Sequence, residues 1–150
     1  MPDIRITRLT AVDTDRARER FVLMADVFQS EKEPLSDSYL ARLLSRDDFW
    51  ALVASVEGRI VGGLTAHTLP LTRAEVSEIF IYDLAVLEDY QRQGIGRALV
   101  ARLRSLAAAA GVGVLFVPAD NEDTHALAFY RAIGGDPAPV TIFTFSDEPE

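Results

Sequence analysis

The 150-residue chain contains no cysteine, a single tryptophan and a single lysine, Lys32. Without cysteine there are no disulfides, no thiolate metal ligands and no cysteine nucleophile. With one lysine and no G-x-x-x-x-G-K-[ST] run, a lysine-bearing triphosphate loop is excluded. Long apolar runs are also missing. The best candidate, 106–119, is interrupted by Gly111 and Gly113 and is too short to span a bilayer. Residues 1–10 lack the apolar stretch of a signal peptide. Basic residues are outnumbered, 15 Lys+Arg against 23 Asp+Glu, for a net charge of −8. Affinity for phosphate backbones comes mostly from Lys and Arg, so the balance argues against a general nucleic-acid binder. The expectation is a cytoplasmic protein with neither a nucleic-acid nor a membrane partner.

What is present is ordinary globular material. Hydrophobic residues make up 49% and charged residues 25%, enough for a packed core, and the length suits a single domain over 1–150. Ile4-Arg5-Ile6-Thr7 alternates as a half-buried strand does. Residues 13–30 read as a helix, with Ala17, Phe21, Met24/Ala25 and Phe28 on one face. A short helix starts at the N-cap candidates Ser36-Asp37. Strands are predicted at 49–56 and 60–69, joined by a hairpin at Glu57-Gly58-Arg59, and at 78–87. A helix over 94–110 ends at Gly111 and is followed by a strand over 112–117. The last elements are a helix over 123–132, a strand over 140–145 and a polar tail. The unit 78–117 reads as strand–helix–strand, so its two strands should be parallel. The whole is a mixed α/β sheet.

The chemistry concentrates in Gln91-Arg92-Gln93-Gly94-Ile95-Gly96-Arg97, between a strand and a helix start. The glycines allow a tight turn that presents backbone N–H groups. The helix dipole, Arg92 and Arg97 add positive charge, as a diphosphate cradle requires. The dinucleotide fingerprint fails at its third glycine. An ordinary glycine turn capping a helix has the same local pattern.

The Gln-x-x-Gly-x-Gly run, with Ile81-Tyr82-Asp83-Leu84-Ala85-Val86 before it, resembles the acetyl-CoA motif of the GCN5-related N-acetyltransferases. Ala126-Leu127-Ala128-Phe129-Tyr130-Arg131-Ala132-Ile133-Gly134 resembles that superfamily's second signature, with Asp123 where an Asn is usual. The segment 77–86 is closest to the type I aminoglycoside 3-N-acetyltransferases, as are Asp37-Ser38-Tyr39-Leu40 and the 63–70 run. Departures fall on the substrate side: Phe80, Asn121-Glu122, Thr124-His125 and the 141–145 strand. The resemblance implies a single-domain α/β N-acetyltransferase fold. Its sheet is mixed and mostly antiparallel, with a central parallel strand pair and flanking helices. It also implies a homodimer, acetyl-CoA as cofactor and direct transfer to an amine. The implied acceptor is the 3-amino group of an aminoglycoside's deoxystreptamine ring, an antibiotic-resistance activity. A polyamine or protein amine is the alternative acceptor, and a non-catalytic acyl-CoA-binding module the alternative class.

Acetyl transfer needs a neutral amine, a polarised carbonyl and a protonated leaving thiolate. Tyr130 is the candidate acid, since a phenol with a pKa near ~10 stays protonated at neutral pH; a core tyrosine is the plainer reading. Asp83 is the candidate base or ammonium anchor, being the only charge in the central strand 79–86; a structural salt bridge would also explain it. Strict alternation puts Asp83 on the face opposite Tyr82, unless a bulge resets the phase. Glu78 and Tyr82 are candidate acceptor contacts, and Asp120 and Glu122 a cation-binding rim. The resemblance implies that Leu84, Ala85 and Val86 hold the pantetheine through their backbone. It further implies that Asp123, Ala126, Phe129 and Tyr130 lie along the cofactor. No metal site is expected. Charge is divided along the chain: residues 91–119 carry four arginines and no acid, whereas 120–150 carry seven acids and one arginine. A basic segment for a phosphate-rich cofactor and an acidic surround for a cationic acceptor fit one reaction.

Overall fold

The structure, a computed structural model, describes residues 3–13, 15, 17–19, 21 and 35–147. Its strands are β1 (Ile4–Arg8), β2 (Phe49–Val56), β3 (Arg59–Pro70), β4 (Ser77–Val86) and β5 (Val114–Phe116). Its helices are α1 (Asp37–Leu44), α2 (Ile95–Ala109) and α3 (Thr124–Ala132), with a 3₁₀ turn over Glu88–Tyr90. The helix expected over 13–30 lies largely outside the described residues; 15, 17–19 and 21 are helical. Met1–Pro118, with the sheet, α1 and α2, form one compact unit, and Ala119–Glu150, with α3, form another. Among the described residues, no helix is long and apolar enough to cross a membrane.

The five strands form one sheet in the order β1-β2-β3-β4-β5. Neighbours are antiparallel except β4 and β5, which are parallel as the crossover pattern predicts. The β2–β3 hairpin turns on Glu57 (φ 51°) and Gly58 (φ 79°). Positive φ at both central residues matches the right-handed strand twist.

Two apolar layers hold the sheet. On one face Phe49, Ala51 and Val53 of β2 pack with Leu9, Ala17, Leu40 and Leu44. Ser36 caps α1 by accepting the Tyr39 N–H at 3.1 Å, which sets Leu40 and Leu44 onto that layer. The other face receives α2, whose Ile95, Leu99, Leu103 and Ala107 are buried. Their i, i+4, i+8, i+12 spacing is one stripe of a helix. Each fully buried leucine contributes roughly 1.5–3 kcal/mol of transfer free energy. α2 ends in a Schellman turn: Gly111 (φ 82°) donates to Ala108 and Val112 to Ala107.

One predicted element is corrected. Residues 140–145 form no strand: Val140, Ile142, Phe143 and Phe145 are exposed. A strand exists only where its backbone groups have a ladder partner, and no strand among the described residues pairs with 140–145.

Candidate active site

The site is built on an irregularity in β4. Thr65 of β3 faces Asp83, but the next residue, Ala66, faces Ile81. Tyr82 is therefore the extra residue of a β-bulge, and side chains beyond it switch faces. Before the bulge, Ile79 and Ile81 point into the α2 layer and are buried. Glu78 and Phe80 take the opposite face by alternation. Tyr82 joins them, its ring lying 5.7 Å from Phe80 and 6.0 Å from His67. Asp83 should then return to the buried side, yet it does not. Its Oδ2 accepts the Thr65 hydroxyl at 3.3 Å, and Thr65 shares a face with His67. The bulge thus brings Glu78, Tyr82 and Asp83 onto one face, where strict alternation would have separated Asp83 from Tyr82. Asp83 is half-buried and Tyr82 exposed.

A second irregularity opens the sheet. β5 pairs with β4 only at Glu78, Ile79 and Phe80. β4 runs on through 81–86 with no strand on that side among the described residues. The backbone of Leu84, Ala85 and Val86 is therefore available to an extended ligand on its β5 side, as an added strand would use it. β3 supports this end closely: a Cβ on Gly62 would lie 2.9 Å from the Ala85 carbonyl oxygen. Only glycine allows that approach.

The Gly-rich loop follows directly. The exposed Gln91 side chain folds back on the strand end, its Nε2 donating to the Val86 carbonyl at 3.0 Å. Gln93 likewise donates to Asp89 at 3.3 Å. These bonds fold the loop onto the end of β4. Arg92 (φ 63°) and Gly94 (φ 83°) both take left-handed backbone. Gly94 is the N-cap of α2 and provides no side-chain cap. The first intrahelical bond there is Ala98 N–H to the Gly94 carbonyl at 2.9 Å. The N–H groups of Ile95, Gly96 and Arg97 are consequently left for an external acceptor. With the helix dipole, Arg92 and Arg97, that set suits a diphosphate, and the open β4 backbone suits the amide-bearing arm of an acyl-CoA. Both observations are independent of any resemblance, and the residues present fit the group.

The second unit carries the remaining candidates on and before α3. Asp123 caps the helix, Oδ1 accepting the Ala126 N–H at 3.0 Å. Asp120 accepts the Glu122 N–H at 2.9 Å, closing a tight turn in the acidic loop. Phe129 and Tyr130 meet edge to face at 5.1 Å. Tyr130 sits in the last turn, and its carbonyl accepts the Gly135 N–H at 2.9 Å. Gly134 (φ 101°) makes that Schellman closure and so fixes the register of the helix end beneath Tyr130.

The sequence alone did not single out Thr65 or His67. Thr65 is buried and polar, a hydroxyl within the apolar stretch 60–66 of β3. That was the available signal, but its partner is fixed only by register. His67 lies 5.2 Å from the Phe49 ring and lines up with Tyr82.

Three comparisons bear on this geometry. A family model described as Acetyltransferase (GNAT) family matches residues 14–134. An aminoglycoside acetyltransferase from an uncultured soil metagenomic sample, solved in complex with sisomicin, is 32% identical. It superposes with a TM-score of 0.92 over 97% of either chain. A second aminoglycoside acetyltransferase from such a sample is 34% identical, with a TM-score of 0.93 over 97% of this chain and 99% of that one. The [ribosomal protein bS18]-alanine N-acetyltransferase of Escherichia coli (strain K12) is 33% identical over 70 residues. This chain matches about half the length of that curated relative, 47% of either protein.

Proposed function

The chain belongs to the acetyltransferase (GNAT) family, and on that premise we propose that it transfers the acetyl group of acetyl-CoA to an amino group of an aminoglycoside. The acceptor position we propose is the 3-amino group of deoxystreptamine, and the biological consequence resistance to such drugs. One observation carries the reading: the β4 bulge sets two carboxylates, Glu78 and Asp83, and an aromatic ring, Tyr82, on one face. The strand that carries them leads straight into the open backbone and phosphate-suited loop. A polycationic acceptor and an anionic cofactor are thus addressed from one strand. The two soil relatives that superpose over nearly the whole chain are aminoglycoside acetyltransferases, one of them holding sisomicin.

Bound acetyl-CoA supplies the acetyl group as an activated thioester. Arg92, Arg97 and the first-turn N–H groups of α2 hold its diphosphate. The backbone of 84–86 holds the pantetheine and orients the carbonyl. Asp83 anchors the acceptor ammonium and takes its proton, oriented by the Thr65 hydroxyl. Glu78 attracts a further ammonium group, and Asp120 and Glu122 of the second unit are proposed as cation-binding carboxylates on the sequence alone. Tyr130 holds the proton for the departing sulfur at its phenol oxygen. Asp123 and Phe129 act by placing Tyr130, through the cap and the ring contact.

The test is thiol release from acetyl-CoA with gentamicin, sisomicin, fortimicin and kanamycin, followed by NMR location of the acetyl group. Acetylation at the 3-amino position is expected; no turnover with any of the four overturns the acceptor assignment. A protein N-terminal amine is the second reading, favoured by the 70-residue match to a ribosomal-protein acetyltransferase. A peptide beginning with alanine, in the same assay, separates the two. A non-catalytic acyl-CoA-binding module predicts cofactor binding with no thiol release in either case.

A further inference from the structure

Five rings form a continuous row across four strands on the face that carries Asp83. Phe49 of β2 meets His67 of β3 at 5.2 Å, and His67 meets Tyr82 of β4 edge-on at 6.0 Å. Tyr82 meets Phe80 at 5.7 Å, and Phe80 meets Phe116 of β5 edge-on at 5.0 Å. The row is rooted in the core at Phe49, which is 5% exposed, and opens at Tyr82, which is 65% exposed. Leaving a large ring in water on β4, just past the end of its pairing with β5, gains no burial. Alternation from Phe80 puts this ring on the outer face, and the bulge brings Asp83 to the same face beside it. Neighbours on both sides hold it, so little ordering remains for a ligand to impose.

The charge around the ring selects what it receives. Glu78 and Asp83 flank Tyr82 on the same face and repel anions. The negative π face of an aromatic ring adds attraction for a cation, most effectively where water is partly displaced. We propose that the face of Tyr82 is a cation–π seat for a second ammonium group of the acceptor, the reacting amine being held by Asp83. His67 and Phe80 are positioning residues for that ring. This deepens the aminoglycoside reading and rests on it: the site distinguishes amines that carry a neighbouring cation from simple amines, through a ring rather than a third carboxylate.

The experiment compares Tyr82→Leu and Tyr82→Phe with the unaltered protein, using sisomicin and acetyl-CoA. Tyr82→Leu should raise the sisomicin KM about tenfold, the size expected of one partly desolvated cation–π contact. Its kcat, its acetyl-CoA KM and its Tm should stay within about twofold or a degree of the parent, because an exposed ring leaves the core intact. Tyr82→Phe keeps the π face and should stay within about threefold in every parameter. A sisomicin KM unchanged in Tyr82→Leu overturns the proposal. Equal losses in both variants also overturn it and assign the effect to the hydroxyl. If the parent itself fails to acetylate any aminoglycoside, the underlying reading falls and the seat with it.

Discussion

Arg92 stands in the phosphate-suited loop with φ at 63°, a region that side chains with a Cβ enter at a penalty. That penalty is roughly 1–2 kcal/mol for an L-residue. Replacing Arg92 with Ala removes the charge and keeps the strain. Replacing it with Gly removes both, at the expense of about 0.5–1 kcal/mol in unfolded-chain entropy. The glycine variant should therefore exceed the alanine variant in stability by about 0.5–1 kcal/mol. For a domain of this size that is a Tm difference of about 1–4 °C, read by scanning calorimetry. At Arg97, five residues on and inside α2, the same comparison should reverse. Glycine there should be less stable than alanine by about 1 kcal/mol, since it sits in ordinary helical backbone. Both Arg92 variants should lose acetyl-CoA affinity alike, with KM raised about tenfold, the scale of one charge-assisted hydrogen bond. The strain argument fails if glycine is less stable than alanine at Arg92. The cradle argument fails if neither variant changes the acetyl-CoA KM.

Asp83→Asn should lower kcat/KM by about 10²–10⁴ while acetyl-CoA binding, measured by calorimetry, stays unchanged; a loss under threefold refutes its role as base. Tyr130→Phe should lower kcat by about 10² with both KM values near those of the parent, and unchanged turnover removes it as the acid. Thr65→Val keeps the shape of β3 but removes the bond to Asp83; kcat/KM should fall about tenfold with a shifted pH–rate profile. Gly62→Ala puts a Cβ within 2.9 Å of the Ala85 carbonyl oxygen and should destabilise by about 1–3 kcal/mol, with a raised acetyl-CoA KM as the end of β4 moves. On the surface, the Arg46 guanidinium bonds both oxygens of Asp48 at 2.9 and 3.0 Å and holds its carboxyl below the ordinary 3.8. With the folded value depressed, the pair's contribution is present above that ordinary value and is lost as pH falls through the folded one. NMR titration should show the Asp48 midpoint rising towards the ordinary value in Arg46→Ala.

Periodicity located most elements because burial is local in its demands. The α2 stripe, the Glu57-Gly58 hairpin and the Gly111 stop were each legible from a few adjacent residues. The 140–145 segment was misread for the same reason: its β-rich composition is local, but a strand also needs a partner. The loop was legible as a glycine turn opening a helix, whereas the contact made by the Gln91 side chain was not. Its side chain reaches back to Val86, a contact set by the turn geometry between them.

By itself the sequence determined which chemistry was on hand: an acid-flanked aromatic strand, a glycine-arginine loop at a helix start, and a tyrosine helix with its cap. It also determined that no cysteine takes part. Tertiary structure decided which side each group faces. A single unpaired residue, Tyr82, changes the phase of β4, and only the register with β3 reveals it. Because strand side chains alternate with period two, one inserted residue moves Asp83 from the α2 side to the side shared with Thr65, His67 and Tyr82. The short pairing with β5 was equally invisible, since where one strand stops pairing depends on the other's path. A carboxylate within an apolar strand was a cost without an explanation, and the bulge turns it onto the face of Thr65 and Tyr82, where the proposed acceptor amine would meet it.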